Sequence, residues 1–347
     1  MKLTFCYLIV ILFLLNACGT NMTKDPVLLD FEEQAILSPV DSINLEIQEI
    51  LSPEYIQYKK GKLIFKNRQS EFLLSIYDVA KKKVVHTIPV GQGPNEAVDI
   101  ALLKNNKDTC VSFRNIGTQI VQELLIESSV SNIRTVQQLP EESRVLNLIE
   151  TKDYYIGSGV LAEKRFVRIN KQDNKYSYEI DFPNHEKLYG LNQRQLGVVF
   201  NAQKLQPKPD GKKFVTFLDG LMDIYSIKSE GIELLHKKEH YYPSFRILSD
   251  QYGALASFDK DVVSGYGGVD ADDKYIYVLY SELTFAEKIV KGNSFEYLLI
   301  YDWAGNAINV FRLEQPLDGI AIDDKGFLYG LAFNPEAIVY KYDITKL

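Results

Sequence analysis

The chain has 347 residues, of which 39 are basic and 46 are acidic, so its net charge is −7. This acidic balance argues against a nucleic-acid partner and against electrostatic adsorption to anionic lipid. Three cysteines are too few for a disulfide framework, and the length is ample for a large apolar core.

The first segment of the chain predicts export. Lys2 precedes an apolar run of thirteen residues, 3–15, which is shorter than the roughly 20 residues needed to cross a bilayer. The run leads into Leu15-Asn16-Ala17-Cys18. This pattern resembles the lipobox of bacterial lipoproteins, which implies cleavage before Cys18 and acylation of that residue. An ordinary secretory signal with a chance cysteine is the alternative.

These boundaries divide the chain into three parts. Residues 1–17 are the predicted signal peptide, residues 18–42 the predicted tether from lipidated Cys18, and residues 43–347 the folded domain. A flexible tether of this length would have a root-mean-square reach of about 25 to 30 Å. Cys110, the remaining cysteine, lies in a strand-like run, so we expect a small core residue rather than a reactive thiol.

Short runs rich in Val, Ile, Tyr and Phe recur through the chain, and long helical periodicity is missing, which indicates an all-β fold. A polar turn followed by an aromatic or β-branched strand occurs six times, at spacings of roughly 45 to 60 residues. The six turns are Gly61-Lys62, Lys107-Asp108, Lys152-Asp153, Asp210-Gly211-Lys212, Asp272-Asp273-Lys274 and Asp323-Asp324-Lys325. Each copy continues into further strands, so each unit is a four-stranded antiparallel meander.

Six meanders pack most readily as a ring, because radial packing buries both faces of each sheet and shields its edges. The sixth copy ends at residues 338–343 without a fourth strand, whereas residues 43–47 form a spare alternating strand upstream. We therefore predict a six-bladed β-propeller whose last blade is closed by the N-terminal strand. A two-domain β-sandwich protein is the alternative, but it would need neither six equal units nor a spare first strand.

Alternating turns of a meander lie at opposite ends of the blade. The short polar turns all join the first to the second strand or the third to the fourth. The longer segments 183–196, 239–265 and 282–294 all fall at the other end. Long loops on a rigid scaffold commonly build binding surfaces, so we predict recognition at this end, with neutral insertion on an unused face as the alternative.

Candidate binding residues also fall at this end. Gly91-Gln92-Gly93-Pro94-Asn95-Glu96 makes a tight turn that either steers the chain between blades or offers backbone amides and Glu96 as a polar rim. Aromatic and basic side chains gather there by strand count: Arg114, Arg194, Tyr241, Tyr242, Phe245, Arg246, Tyr266 and Tyr280. Aromatic faces stack on sugars or peptide side chains, and Arg anchors carboxylates. Glu96, Arg114, Arg246 and Tyr280 are therefore the candidate binding residues, with loop packing as the alternative for each.

The lipobox, the six blades and the turn at Gly91 together resemble the TolB-like or NHL-like six-bladed β-propeller lipoproteins of Gram-negative bacteria. The resemblance covers most of residues 40–347, and the turn at Gly91 is its most specific part. It implies a propeller architecture and a cell-envelope address, with an outer-membrane lipoprotein facing either the periplasm or the outside. It brings no catalytic residues to this chain.

The sequence contains no recognisable catalytic set. His236 and His240 are four residues apart on a charged strand end, which favours a solvated pair over a metal site. No Gly-x-Ser-x-Gly elbow supports a serine nucleophile. The pairs Asp272-Asp273 and Asp323-Asp324 recur in the frame of the repeat, so they are interpreted as turn formers.

The leading hypothesis is non-enzymatic binding of a protein, peptide or glycan by an anchored propeller without a cofactor. The alternative is a metal-dependent hydrolase or lyase, similar to lactonase-type propellers, with its site in the central channel. Glu96, Asn115 and Asp219 fall near the channel by strand count and are the candidates to hold a divalent metal in this alternative. A third hypothesis is a scaffold within an envelope complex, which a large flat apolar patch would favour.

Overall fold

The fold is described from a computed structural model. The described residues are 25–32, 34–105, 107–126, 133–141, 145–160, 163–201, 203–242, 244–249, 254–333 and 336–345. The predicted signal peptide and Cys18 lie outside these residues. Within the described part of the chain, no helix is both long enough and apolar enough to cross a bilayer.

The strands form six antiparallel blades, and two further strands precede the first blade. The N-terminal strands are β1 (Gln34–Leu37) and β2 (Asp41–Asn44). Blade 1 contains β3 (Pro53–Lys59), β4 (Lys62–Asn67), β5 (Phe72–Asp78) and β6 (Lys83–Pro89). Blade 2 contains β7 (Ile100–Leu102), β8 (Cys110–Asn115), β9 (Ile120–Leu125) and β10 (Ile133–Gln138). Blade 3 contains β11 (Asn147–Glu150), β12 (Tyr154–Ser158), β13 (Phe166–Asn170) and β14 (Tyr176–Glu179).

The second half of the ring carries the additions to the repeat. Blade 4 contains β15 (Lys204–Pro207), β16 (Lys213–Leu218), β17 (Gly220–Ile227) and β18 (Ile232–Tyr241), and a hairpin of β19 (Phe245–Ser249) and β20 (Ala254–Phe258) follows it. Blade 5 contains β21 (Val263–Ala271), β22 (Tyr275–Thr284), β23 (Phe295–Asp302) and β24 (Ala307–Leu317). Blade 6 contains β25 (Gly319–Ile322), β26 (Phe327–Phe333) and β27 (Ala337–Asp343). Among the described residues, the helices are α1 (Gln193–Phe200), α2 (Phe285–Lys291) and two short 3₁₀ turns, Leu28–Asp30 and Glu186–Leu188.

The predicted closure of the ring is confirmed, with a small shift in the strand that closes it. β2 pairs antiparallel with β27, and Ser42 lies opposite Tyr340. The closing strand therefore spans Asp41–Asn44 rather than the predicted residues 43–47. The chain turns immediately after Asn44, because the Asn44 side-chain carbonyl accepts from the backbone amides of Glu46 and Ile47. This side-chain bond competes with continuing the strand.

The apolar core is divided among the interfaces between blades. Six buried clusters of the described residues each join two neighbouring blades. Successive side chains on a strand point to opposite faces, so Ile64 packs toward blade 2 while Leu63 and Phe65 pack toward blade 6. Burial on both faces explains why these strands are continuous apolar runs rather than alternating ones. Cys110 is buried and unpaired, which confirms it as a core residue.

The described part of the segment predicted to be a flexible tether, from Asp25 onward, packs against the propeller. Val27, Leu28 and Phe31 are buried in the cluster between blades 4 and 5, where the Phe31 ring lies 5.3 Å from that of Tyr301. β1 then pairs in parallel with β24 as a fifth strand of blade 5. These residues are therefore not a flexible tether. The free energy gained by burying three large apolar side chains exceeds the conformational entropy that this segment loses on packing.

The strand order fixes which connections share an end of the ring. The turns between the first and second strands, and between the third and fourth strands, lie at one end, here called the turn face. The remaining loops lie at the other end, here called the loop face. The long segments 180–203, 242–262 and 285–294 are all at the loop face, as predicted. They contain α1, the β19–β20 hairpin and α2, which the sequence analysis did not predict.

Candidate functional site

A central channel runs along the axis between the innermost strands of the blades, and one lysine divides it. Lys104 follows β7 of blade 2, and its ammonium donates to the backbone carbonyl of Val269 on blade 5 at 3.0 Å. The same ammonium lies 3.7 Å from the Asp270 carboxylate and 5.1 Å from the Tyr55 ring centre. The division leaves a chamber of about 550 Å³ on the loop face and one of about 890 Å³ on the turn face.

The loop-face chamber has aromatic walls and a few polar groups. Its lining includes Tyr55, Asn147, Lys204, Asp219, Tyr266, Phe295 and Asp318. A mostly apolar cavity with a small number of placed polar groups is the usual construction of a ligand site. Which of these polar groups are free to meet a ligand depends on their partners within the protein.

Asp219 occupies the tight turn between β16 and β17 in a strained backbone conformation. Its φ is +49°, in the left-handed region that only Gly, Asn and Asp adopt readily. Its backbone lies so close to Gly265 that a side chain there would place Cβ 2.4 Å from the Asp219 carbonyl oxygen. The Asp219 Oδ2 atom is buried and has no hydrogen-bond partner among the described residues. Burial raises the pKa of Asp219 to about 7, although Lys204 opposes the shift.

Lys204 begins β15 and carries the opposite charge into the same chamber. Burial of its ammonium lowers the pKa of Lys204, while the negative charge of Asp219 raises it. The side chain still contacts the chamber solvent. Across the described residues, neither Lys204 nor Asp219 makes an ion pair, so the chamber presents two opposite charges that attract each other without touching.

The other charged groups around this chamber already have partners. Asp318 accepts from the Ser294 hydroxyl at 3.1 Å and from the Phe333 amide at 3.1 Å. Glu54 pairs with Lys66 at 2.9 Å. These carboxylates therefore act as structural groups, and Asp219 with Lys204 remains the candidate recognition pair.

The turn-face chamber is larger, but its polar groups are largely engaged within the protein. Asp272 accepts from the amides of Lys274 and Tyr275, and Asp323 accepts from those of Lys325 and Phe327. These bonds confirm that the first aspartate of each pair, Asp272 or Asp323, is a turn former. In the same chamber Lys59 donates to the backbone carbonyl and side-chain oxygen of Asn105, and burial lowers the pKa of Lys59 to about 8.

Two of the four predicted binding residues lie on the surface of the loop face. The Glu96 carboxylate folds back and accepts from the Gly93 amide at 2.8 Å, so it stabilises its own turn. Arg246 lies on β19 with its side chain 78% exposed and donates to Asp259 at 2.8 Å. Both stay accessible to a partner, and neither lines the loop-face chamber.

The other two predicted binding residues are buried. Arg114 donates to the backbone carbonyl of Leu146 at 2.9 Å and to the Gln119 side chain at 2.8 Å, which ties blade 2 to blade 3. Tyr280 is fully buried, and its hydroxyl donates to Asp25 at 2.8 Å. Both residues lie toward the loop-face ends of their strands, but their side chains point into the interfaces between blades, so they are structural residues.

The residues considered for a metal site do not converge. Within the described residues, no group of three or more His, Cys, Asp or Glu side chains could hold a metal ion. Asn115 caps its own turn by accepting from the Gly117 amide, and of Glu96, Asn115 and Asp219 only Asp219 lines the chamber. His240 contacts Asp30 at 3.0 Å rather than solvent alone.

The sequence analysis missed Lys204 and Lys104. Each is a single lysine at the end of a strand, and no local pattern distinguishes it from a solvated lysine. Asp219 was named, and the Asp219-Gly220 pair between two strands was also a signal for a tight hairpin turn. To predict that Lys204 and Asp219 share a chamber, one must know the register of β15 against β16. That register places Lys204 opposite Phe217, two residues before Asp219.

Comparison with known proteins supports the architecture. A family model described as TolB-like 6-blade propeller-like matches residues 33–325. A putative exported protein from Bacteroides fragilis has 13% identity and a TM-score of 0.51, over 90% of this chain and 100% of its own. Regucalcin from Agrobacterium tumefaciens, described as a calcium-binding protein, has 10% identity and a TM-score of 0.51, over 90% and 96%. Identities this low show the fold alone. No curated protein matches the sequence significantly.

Proposed function

Because this chain belongs to the TolB-like six-bladed propeller family, we propose that it is an envelope lipoprotein that binds a protein or peptide partner without catalysis. Its loop face carries the recognition surface, and the chamber on that face receives a charged segment of the partner. The acyl chains on Cys18 hold the propeller at the membrane, in the outer membrane of a Gram-negative cell. This placement agrees with the signal sequence and with a net charge of −7, which gives no electrostatic attraction to anionic lipid.

The observation that carries the proposal is the unpaired Lys204 and Asp219 in one chamber. The Asp219 Oδ2 atom is buried without a hydrogen-bond partner, and the solvent-exposed Lys204 makes no ion pair among the described residues. A ligand carrying both signs satisfies both groups at once. Polypeptide segments carry both signs, whereas a neutral glycan would leave both charges unpaired. Tyr55, Tyr266 and Phe295 line the same chamber and supply apolar contact area for the partner's side chains.

Catalysis is not part of the proposal because, among the described residues that line the chamber, no second carboxylate is free to act together with Asp219. Asp318 and Glu54 are both bonded within the protein. A metal-dependent hydrolase would need several convergent ligands, and Asp219 stands alone as a carboxylate with an unpaired oxygen in this chamber.

Peptide selection against the immobilised propeller tests the proposal. Peptides from a random display library should enrich for adjacent acidic and basic residues. Their affinity should fall at least tenfold in Asp219→Asn and in Lys204→Gln, because each removes a charge-assisted hydrogen bond worth about 1.5 to 3 kcal/mol. Asn suits the positive φ at this position, so Asp219→Asn should fold normally.

Lys274→Gln on the turn face is the matched control, and it should leave the affinity unchanged. Equal affinity of the selected peptides for the propeller and both chamber variants would overturn the proposal. Selective binding of neutral oligosaccharides, with no peptide enrichment, would replace the protein or peptide partner with a glycan.

A further inference from the structure

The exposed apolar side chains of the propeller are unevenly distributed between its two ends. None of the exposed large apolar residues lies in the described turns of the turn face. Two pairs stand out at the loop face. Leu248 and Leu255 are 57% and 64% exposed, and Ile289 and Val290 are 75% and 85% exposed. Exposed apolar residues that are grouped, unlike single ones, are a feature of surfaces that contact a protein or a membrane.

The first pair lies on the outer side of the β19–β20 hairpin. Leu248 and Leu255 are directly opposite each other across the two strands. The inner side of the hairpin is held down, since Phe245, Ile247 and Ala256 pack on the cluster beneath the loops. The exposed leucines therefore stand on a fixed support and not on a free loop.

The second pair lies on α2, which is joined to the same hairpin. The Ala286 amide donates to the Lys260 carbonyl at 2.9 Å, and the Phe285 ring lies 6.3 Å from that of Phe258. We call Leu248, Leu255, Ile289 and Val290 the apolar platform. Its two supporting elements are thus fixed to each other at the blade 4 and blade 5 side of the loop face.

The N-terminal segment leaves the propeller at this same end. The Asp25 carboxylate accepts from Tyr280, whose hydroxyl lies 3.4 Å from that of Tyr241. Tyr241 is the last residue of β18, at the loop-face end of the strand and at the base of the hairpin. From Asp25 the chain runs toward the turn face, because Phe31 contacts Tyr301 near the opposite end of blade 5.

The length of chain before Asp25 limits which end can reach the membrane. Seven residue steps separate Cys18 from Asp25, and full extension gives at most about 25 Å. Tyr280, which binds Asp25, lies four residues from the loop-face end of β22, or about 14 Å. A lipid on Cys18 therefore reaches a bilayer at the loop face, which is the side from which the chain enters the propeller.

We propose that the apolar platform rests on the lipid bilayer, with Leu248, Leu255, Ile289 and Val290 in the interface region. This inference depends on the proposed lipidation of Cys18. The platform and the acyl chains together give two attachment points, which fix the orientation of the ring. The loop-face chamber then opens beside the membrane surface, so the partner of the proposed function is a segment that projects from the same membrane.

Fluorescence quenching of the full-length lipidated protein in vesicles of phosphatidylethanolamine and phosphatidylglycerol tests this inference. Leu255→Cys and Ile289→Cys each provide a site for a bimane label, while buried Cys110 remains unlabelled. Quenching by a lipid-attached nitroxide should be several-fold stronger at both positions than at Lys81→Cys, an exposed control on the turn face. Equal quenching at the three positions would overturn the inference.

Vesicle flotation separates this inference from the proposed anchor. The lipidated protein should float with the vesicles, and Cys18→Ser should remain in the soluble fraction. Failure of the unmodified protein to float would overturn the anchor and the inference together. Flotation with equal quenching at the three positions would overturn the contact of the apolar platform with the bilayer, but not the anchor. Self-quenching of the label at Leu255→Cys with rising protein density would also overturn that contact, because a second copy of the protein would then cover the platform.

Discussion

Lys104 of blade 2 donates to the backbone carbonyl of Val269 of blade 5 at 3.0 Å, and these blades stand opposite each other in the ring of six. One side chain thus crosses the channel axis and joins the two halves of the propeller. Asp270, which lies 3.7 Å from the same ammonium, also accepts from the Ile322 amide of blade 6. Gln206 of blade 4 also donates to Asp270, at 3.2 Å. The centre of the ring is therefore a polar bridge among four blades, and it separates the two chambers.

Replacement of Lys104 by Met should destabilise the ring. The substitution keeps the length of the side chain but leaves Asp270 without its cation, so we expect a loss of about 2 to 4 kcal/mol in the free energy of unfolding. Urea unfolding followed by tyrosine fluorescence measures this loss. Lys81→Met, at an exposed turn lysine, is the control, and an equal effect of the two substitutions would show that the cross-axis bridge contributes nothing.

The N-terminal segment should contribute to stability as a core element. Phe31→Ala removes a buried ring from the cluster between blades 4 and 5, which should cost about 3 to 5 kcal/mol. Leu29→Ala, two residues earlier on the exposed side of the same 3₁₀ turn, should cost less than about 0.5 kcal/mol. Thermal unfolding of the two variants measures the difference. Similar melting temperatures would show that this segment does not contribute to the core and would support the flexible tether predicted from the sequence.

The repeat explains why the architecture could be predicted from this sequence. Blades 4, 5 and 6 share one turn chemistry, in which Asp210, Asp272 and Asp323 each accept from the backbone amide two residues later. Such bonds depend on neighbouring residues in the sequence, and the six-fold repeat of a polar turn before a strand made the pattern recognisable. The closure of the ring by β2 could be predicted because the sixth copy lacks a fourth strand. The common end of the long loops could be predicted because alternate connections of a meander lie at the same end of the blade.

The candidate site could be predicted only in part because it depends on contacts between distant segments. Arg114 and Tyr280 have the composition of binding residues, but each lies on a strand whose two faces are both buried. Whether Tyr280 meets a ligand or Asp25 depends on where residues 25–31 pack, 255 positions away in the chain. The placement of Lys204 and Asp219 in the same chamber likewise depends on the turn that holds Asp219 at φ +49°.

The two predicted arginines should behave differently on substitution. Arg114→Met leaves the Leu146 carbonyl and the Gln119 side chain without their donor, so we expect a loss of about 2 to 4 kcal/mol in unfolding free energy. Arg246→Ala removes one exposed ion pair and should change stability by less than about 1 kcal/mol. Urea titration distinguishes them, and a stable Arg114→Met variant would contradict the structural role assigned to that residue.

The ionisation of Asp219 should make the stability of the propeller depend on pH. Burial raises the pKa of Asp219 from 3.8 to about 7, so the folded state retains a proton that the unfolded chain has released. Stability then falls as pH rises from about 4 to about 7, because the unfolded state binds fewer protons in this range. The chamber admits water, so we expect about 1 to 2 kcal/mol rather than the full value of the shift. Asp219→Asn should remove this part of the slope, which urea midpoints at pH 4.5 and pH 8 would measure.

Asp173 serves as the control of opposite sign, since Lys175 holds the pKa of that exposed carboxyl below its usual value. Asp173→Asn should therefore remove stability that is gained as pH rises. Identical pH slopes for the unmodified protein and Asp219→Asn would show that the chamber carboxyl is solvated and ionised, and would remove the electrostatic reason for its pairing with a ligand.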